Sequence, residues 1–211
     1  MELCPMINPT RIHWEHIYQT KSPDEVSWTQ DEPRISLELI GKAGVAKDAA
    51  IIDIGGGDSR LVDFLLQDGY TNISVLDISE AALERAKTRL GAAASKVHWI
   101  HNDVLEWKPT QQFELWHDRA AFHFLRDPEE QVKYLKLLAE YVAGQAIIGT
   151  FSVHGPVKCS GLEIKQYDAQ SMSELLEQYG FQRLECLDDT HTTPFGTTQE
   201  FIFCRFRKGT N

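Results

Sequence analysis

The sequence predicts an α/β fold: a doubly wound, mostly parallel seven-stranded sheet ending in a C-terminal antiparallel hairpin. Two observations carry this expectation. Short β-branched apolar runs alternate with segments of helical period, the order that builds right-handed β-α-β crossovers. The last of these runs instead come as two adjacent segments of period 2, as an antiparallel pair does.

In chain order, Trp14 to Trp28 is aromatic and polar and carries a Ser-Pro-Asp turn, which reads as a helix followed by a loop. It is a candidate lid. Arg34 to Ala43 has helical periodicity after the acidic start Asp31-Glu32-Pro33. Ala49 to Ile54 is a continuous apolar run ending in glycines, the pattern of a strand buried on both faces. Arg60 to Leu66 follows as a helix, Ile73 to Leu76 as a strand, and Ser79 caps a helix to about Leu90. Val97 to His101 and Phe113 to Trp116 give two further strands, Pro128 to Val142 a long helix and Ala146 to Phe151 the fifth strand. Met172 to Tyr179 is helical and stops at Gly180. Phe181 to Leu187 and Gln199 to Phe206 form the hairpin, joined through Thr192 to Gly196.

The chain has 211 residues, enough for one buried core and short for two. One domain is expected over 1–211, with an N-terminal helical lid over 1–45 and a core over 46–211. A formal net charge of −10 disfavours a nucleic-acid partner, because phosphate binding needs a basic groove. No stretch is long and apolar enough for a signal peptide or membrane span. The cysteines Cys4, Cys159, Cys186 and Cys204 are widely spaced without a CxxC pair, which argues against a disulfide framework or a zinc site and favours a reducing cytoplasm. No metal is expected, and the oligomeric expectation is a monomer or weak dimer.

The chemistry concentrates at Gly55-Gly56-Gly57. In a doubly wound sheet, ligands bind outside the carboxyl ends of the strands where winding reverses. Glycines there accept positive φ and let a ligand reach the backbone. The dinucleotide fingerprint G-x-G-x-x-G fails, since Arg60 stands at its third glycine. Acids mark three successive strand ends instead: Asp53 two residues before Gly55, Asp77 after the second strand, and Asp103 after the third. A carboxylate such as that of Asp77 has two oxygens and can accept from both hydroxyls of a ribose.

With DIGGGDS as an acid-x-Gly-x-Gly motif, the sequence resembles the class I S-adenosylmethionine-dependent methyltransferases over roughly Trp14 to Phe206. The resemblance implies S-adenosylmethionine as cofactor. It would place Asp77 on the ribose, Ile78 against the adenine, Asp103 and Val104 at the adenine edge, and Asp53 with Gly55, Gly56 and Gly57 against the methionine moiety. Trp14, Tyr18 and Trp28 would fold over the cofactor, with aromatic faces beside a sulfonium.

The loop after the fourth strand, within WHDRAAFHF, is expected to face the transferred methyl group. Asp118, Arg119 and His123 are the candidates for orienting the acceptor or taking its proton, and Asp118 is also counted among the cofactor contacts. His117 is a further titratable group there. The segment lacks an Asn-Pro-Pro-Tyr type motif, which removes acceptors that are amino groups of bases or of glutamine. In Ser152 to Leu162, His154, Lys158 and Cys159 lie beside the expected site, and Cys159 reads as an ordinary loop cysteine or a contact to a soft acceptor.

A small-molecule acceptor is the leading expectation, given the acidic chain and the lack of a recognition domain. Protein lysine methylation, noncatalytic nucleoside binding and nicotinamide-dependent oxidoreduction stay open as alternatives.

Overall fold

The computed structural model describes residues 8–209. Cys4 and the first residues read above for a leader lie outside them. A seven-stranded sheet forms the centre, in the order β3-β2-β1-β4-β5-β9-β8. Its parallel part comprises β1 (Ile51–Ile54), β2 (Ile73–Asp77), β3 (Val97–His101), β4 (Phe113–Arg119) and β5 (Val142–Phe151). Beyond β5 lie β9 (Thr198–Lys208) and β8 (Phe181–Thr192), both in antiparallel pairings. The expected doubly wound, mostly parallel sheet with its C-terminal hairpin is therefore present. The winding reverses between β1 and β4, the switch point at which a ligand crevice opens.

Helices cover both faces. On one side α2 (Arg34–Ala43), α3 (Leu61–Gln67) and α4 (Glu80–Leu90) bring Leu39, Ile40, Leu61, Leu65 and Leu83 against Ile51, Ile73, Leu115 and Ile147. On the other side α5 (Pro128–Tyr141) and α6 (Ala169–Glu177) set Tyr134, Leu138, Met172 and Leu176 against Ile52, Trp116 and Ile148. Ser79 caps α4 through its side chain, Asp127 caps α5 and Asp168 caps α6, so polar residues start each of these helices.

The segment before α2 runs across the carboxyl ends of the strands. It contains α1 (Pro9–Thr20), capped by Asn8. Glu15 accepts from the Ser79 hydroxyl at 2.8 Å and from the Ala81 N–H at 3.2 Å, adding a carboxylate to the N-terminus of α4. His191 Nε2 meets the Ser27 carbonyl at 2.7 Å, tying the segment to β8 as well.

Several boundaries differ from the sequence reading. The strand expected over Phe113 to Trp116 continues to Arg119, because His117 and Asp118 still pair with Ile147 and Ile148 of β5. β5 starts at Val142, directly after α5, rather than at Ala146. A short antiparallel pair, β6 (Lys158–Cys159) with β7 (Leu162–Glu163), shapes the loop after β5. The cysteine reading also needs correction: Cys186 and Cys204 form a disulfide. They stand directly opposite each other in the β8–β9 register, a relation that spacing along the chain does not reveal. Among the described residues Cys159 is the free cysteine, and it is buried. No helix among them is long and apolar enough to cross a membrane.

Candidate functional site

A cavity of about 350 Å³ opens at the switch point, within the size range of small-ligand sites. Its lining includes Trp14, Tyr18, Trp28, Asp53, Gly55, Gly56, Asp77, Ile78, Asp103, Val104 and Arg119. Eleven of the sequence-designated residues thus converge on one space from five different segments.

The glycine turn forms its floor. Gly55 and Gly57 have φ of 65° and 49°, conformations that other residues adopt with strain. Gly56 needs glycine for a different reason: a Cβ there would stand 2.6 Å from Asp53 Oδ2 and 2.8 Å from Val75 Cγ1. Arg89 of α4 fastens the turn's exit, donating to the carbonyls of Asp58 at 2.7 Å and Ser59 at 2.8 Å. Gly57 is not part of the cavity lining, and a Cβ there would stand 2.8 Å from the Tyr18 hydroxyl.

Asp77 closes β2 and is buried. One oxygen accepts from the Ser79 N–H at 2.8 Å. Burial pushes its carboxyl up to about 7, and the nearby Asp58 and Asp53 add to the shift. Such a carboxyl has fewer donors than its ionised form requires, so two ribose hydroxyls fit it well. Asp103 is already engaged: it accepts from Asn8 Nδ2 at 2.7 Å and from the Leu105 N–H at 2.9 Å. The covering segment is therefore joined to the loop after β3 through this acid.

At the opposite end, three side chains are linked in line. His117 Nδ1 is 2.7 Å from Asp53 Oδ1, and its Nε2 is 2.9 Å from Ser36 Oγ. All three are buried and all three line the cavity. With a proton on Nδ1, the His117 ring donates to Asp53 Oδ1 while its Nε2 accepts from Ser36 Oγ.

Aromatic rings form the remaining wall. Trp14 lies edge-on to Trp28 at 5.6 Å and to Phe124 at 5.1 Å, and Tyr18 approaches Trp28 at 6.1 Å. Burial and the neighbouring Asp77 hold the Tyr18 hydroxyl well above its ordinary pKa, which keeps it a donor. Arg119 reaches the same wall, with Nη1 donating to the Trp28 carbonyl at 3.0 Å.

Besides Gly57, the designated Asp118 and His123 stand outside the cavity, and for Asp118 the extended β4 explains why. Along a strand, alternate side chains face opposite ways. His117 and Arg119 face the cavity, so Asp118 faces α5. There its carboxyl accepts from the Tyr134 hydroxyl at 2.6 Å and from the N–H groups of Ala121 at 3.0 Å and Phe122 at 3.1 Å. This placement corrects both its catalytic and its cofactor-contact assignments. His123 is also buried outside the cavity, with Nδ1 accepting from the Phe151 N–H at 3.3 Å. Burial and Arg119 depress its pKa to about 3, which removes it as a proton acceptor near neutrality.

The sequence reading missed Ser36, Asn102, Phe124 and Ala120, all of which line the cavity. Phe124 lay inside the designated WHDRAAFHF stretch, so its aromatic ring was the available signal. Ala120 has φ of 66° and Ser160 φ of 51°, the two non-glycine residues with positive φ among those described. They directly follow the cavity-lining Arg119 and Cys159, and such strain concentrates at functional sites. Burial pushes the Cys159 thiol up to about 11, so it is a neutral group rather than a thiolate. Among the described residues no group of three or more His, Cys, Asp or Glu is placed to hold a metal ion.

Known proteins match this arrangement. Residues 51–143 match the family model described as a methyltransferase domain. Malonyl-[acyl-carrier protein] O-methyltransferase of Paenibacillus sp. (strain JDR-2) is 24% identical over 75% of this chain and 64% of its own length. Thiocyanate methyltransferase 1 of Arabidopsis thaliana is 24% identical over 86% of this chain and 78% of its own. The first of these matches spans less than two thirds of its relative. Among solved structures, the 1,6-didemethyltoxoflavin-N1-methyltransferase of Burkholderia thailandensis, bound to 1,6-didemethyltoxoflavin and S-adenosylhomocysteine, superposes with a TM-score of 0.70 at 16% identity. That likeness covers 99% of this chain and 94% of the other.

Proposed function

Because the chain belongs to the class I S-adenosylmethionine-dependent methyltransferases, whose methyl donor is S-adenosylmethionine, we propose that it methylates a small-molecule acceptor held between the glycine turn and segment 8–33. The residues fit the donor. Asp77 would take the ribose hydroxyls, Ile78, Asp103 and Val104 would flank the adenine, and Asp53 with Gly55 and Gly56 would border the methionine moiety. Trp14, Tyr18 and Trp28 would cover it. When bound, S-adenosylmethionine supplies an electrophilic methyl group on a sulfonium.

The chain's own contribution is position and exclusion of water. In-line transfer needs the acceptor held at near-attack distance in a site closed to solvent. The aromatic wall of Trp14, Trp28 and Phe124 supports this, since its rings are apolar and their faces favour a cation. With Asp118 and His123 turned away, no designated acid or base presses on the acceptor except the Asp53–His117–Ser36 chain. The reading therefore rests on orientation rather than on a dedicated general base.

One observation carries the choice of a small acceptor: segment 8–33 is pinned across the cavity at both ends. Asn8 holds Asp103, and the Trp28 carbonyl holds Arg119. A cavity of about 350 Å³ beneath a fastened segment suits a small molecule better than a folded protein surface. The relatives' names, a malonyl-[acyl-carrier protein] enzyme and a thiocyanate enzyme, are compatible with small acceptor groups.

The test is methyl-label transfer from labelled S-adenosylmethionine, run in parallel on a metabolite extract and on lysate proteins. Label in the metabolite fraction is expected. Label confined to protein would overturn the acceptor class, and calorimetry detecting NAD but not S-adenosylhomocysteine would overturn the donor.

A further inference from the structure

We infer that the acceptor carries a carboxylate or similarly planar anionic group, and that Arg119 is the residue that holds it. The inference deepens the methyltransferase reading and rests on it.

Arg119 ends β4 and lines the cavity. Only Nη1 is satisfied, by the Trp28 carbonyl at 3.0 Å. Nε and Nη2 are buried and have no hydrogen-bond partner. These two nitrogens share one edge of the guanidinium, and their N–H bonds run parallel. That edge matches the two oxygens of a carboxylate in a bidentate pair, a fit that a lysine ammonium or a neutral amide does not reproduce.

A buried donor pair left without an acceptor is costly, and a fixed cation costs more. The protein offers no local remedy. Among the described residues no carboxylate forms an ion pair with Arg119. The ring of Phe201 lies 5.0 Å from the guanidinium carbon and supplies only its face. Burial accordingly lowers the guanidinium pKa to about 10, a value at which it is still charged at neutral pH. The geometry is that of a site prepared for an anion arriving from outside the chain.

Its neighbours set that anion apart from the nucleoside end. Arg119 is flanked by the Trp28 carbonyl, Phe201 and, across the cavity wall, the neutral thiol of Cys159. These come from the covering segment, β9 and the loop after β5. Ile78, Asn102, Asp103 and Val104, at the nucleoside end, belong to the segments after β2 and β3. The cofactor has a carboxylate of its own, so the experiment must separate the two sources.

Wild type, Arg119→Gln and Arg119→Lys are compared in two calorimetric titrations. The first uses S-adenosylhomocysteine alone; wild-type binding there tests the methyltransferase reading independently. All three proteins are expected to bind it within threefold of one another. The second uses each protein saturated with S-adenosylhomocysteine and titrated with benzoate, phenylacetate, indole-3-acetate and malonate, each against its carboxamide. At least one acid is expected to bind wild type ten times or more tightly than its amide. Arg119→Gln should lose that preference, and Arg119→Lys should retain part of it. A tenfold or greater loss of S-adenosylhomocysteine affinity in Arg119→Gln would tie Arg119 to cofactor binding, directly or through the Trp28 carbonyl, and overturn the inference. So would a wild-type protein that binds no acid more tightly than its amide.

Discussion

His117 Nδ1 lies 2.7 Å from Asp53 Oδ1 between adjacent strands, in the register that sets the two residues side by side. Both side chains are buried, so each is the other's principal compensation. Replacing His117 by Phe leaves the Asp53 carboxylate without its donor and should destabilise the ligand-free protein by about 3 kcal/mol or more. Replacing Asp53 by Asn as well should cost less than the two separate losses combined, with a coupling of at least about 1 kcal/mol. Urea denaturation of the four proteins in the cycle measures this. Additive losses, agreeing within about 0.5 kcal/mol, would dissolve the pair.

If Asp77 takes the ribose hydroxyls as proposed, it links cofactor binding to pH. In the ligand-free protein its carboxyl titrates at about 7 because it is buried. The folded state therefore binds a proton more tightly than the unfolded chain, and stability falls as pH rises from about 4 to about 7. Ribose hydroxyls donate to the ionised form, so binding must expel that proton below the folded pKa. S-adenosylhomocysteine should bind at least about tenfold more weakly at pH 5.5 than at pH 8. Asp77→Asn should lose both slopes together: melting becomes flatter over this range, and affinity drops at pH 8 by about 3 kcal/mol, the worth of two charge-assisted hydrogen bonds. Unchanged affinity at pH 8 would remove Asp77 from the ribose.

Asp118 gives the reverse expectation. Its carboxyl collects a buried tyrosine hydroxyl and two backbone N–H groups on the α5 side of the sheet. Asp118→Ala strands all three donors and should lower stability by about 3 kcal/mol or more. Asp118→Asn keeps an acceptor oxygen and should cost clearly less. Neither should alter S-adenosylhomocysteine affinity by more than threefold where the protein is folded. A tenfold loss of affinity in Asp118→Asn with an unchanged melting temperature would return this residue to the site.

These contrasts show what the chain discloses and what it hides. Helix and strand identities were legible because period and capping are local: Ser79 and the 3.6-residue pattern after it define α4 without reference to the rest of the fold. That Asp53, Asp77 and Asp103 converge on one cavity was legible for a similar reason, since all three are marked by strand ends. Asp118 was misassigned because which way a strand residue points depends on where the strand stops. Three more residues of β4 turn a loop acid into a core acid. The Cys186–Cys204 disulfide depended on strand register, and the Ser36–His117 contact joins positions 81 apart in the chain. Neither relation leaves a trace in local composition.

The glycine turn offers a test in which sterics alone decides. At Gly56 a Cβ would meet Asp53 Oδ2 at 2.6 Å and Val75 Cγ1 at 2.8 Å, inside any real contact distance. Asp53 cannot yield without releasing His117, and Val75 is locked in the sheet core. Gly56→Ala should therefore cost about 2 kcal/mol, as overpacking of a tight interior does, and should weaken S-adenosylhomocysteine binding by at least tenfold because the floor of the cavity shifts. Gly41 is the matched control. It lies within α2, its added Cβ would meet nothing within 4 Å, and its φ is not in the positive range. Gly41→Ala should stabilise the protein by about 0.5–1 kcal/mol, through helix propensity and a less flexible unfolded chain, and leave the affinity unchanged. Thermal melting and calorimetry on the two variants decide the matter. If Gly56→Ala binds as tightly as Gly41→Ala, crowding against Asp53 and Val75 does not reach the cavity floor.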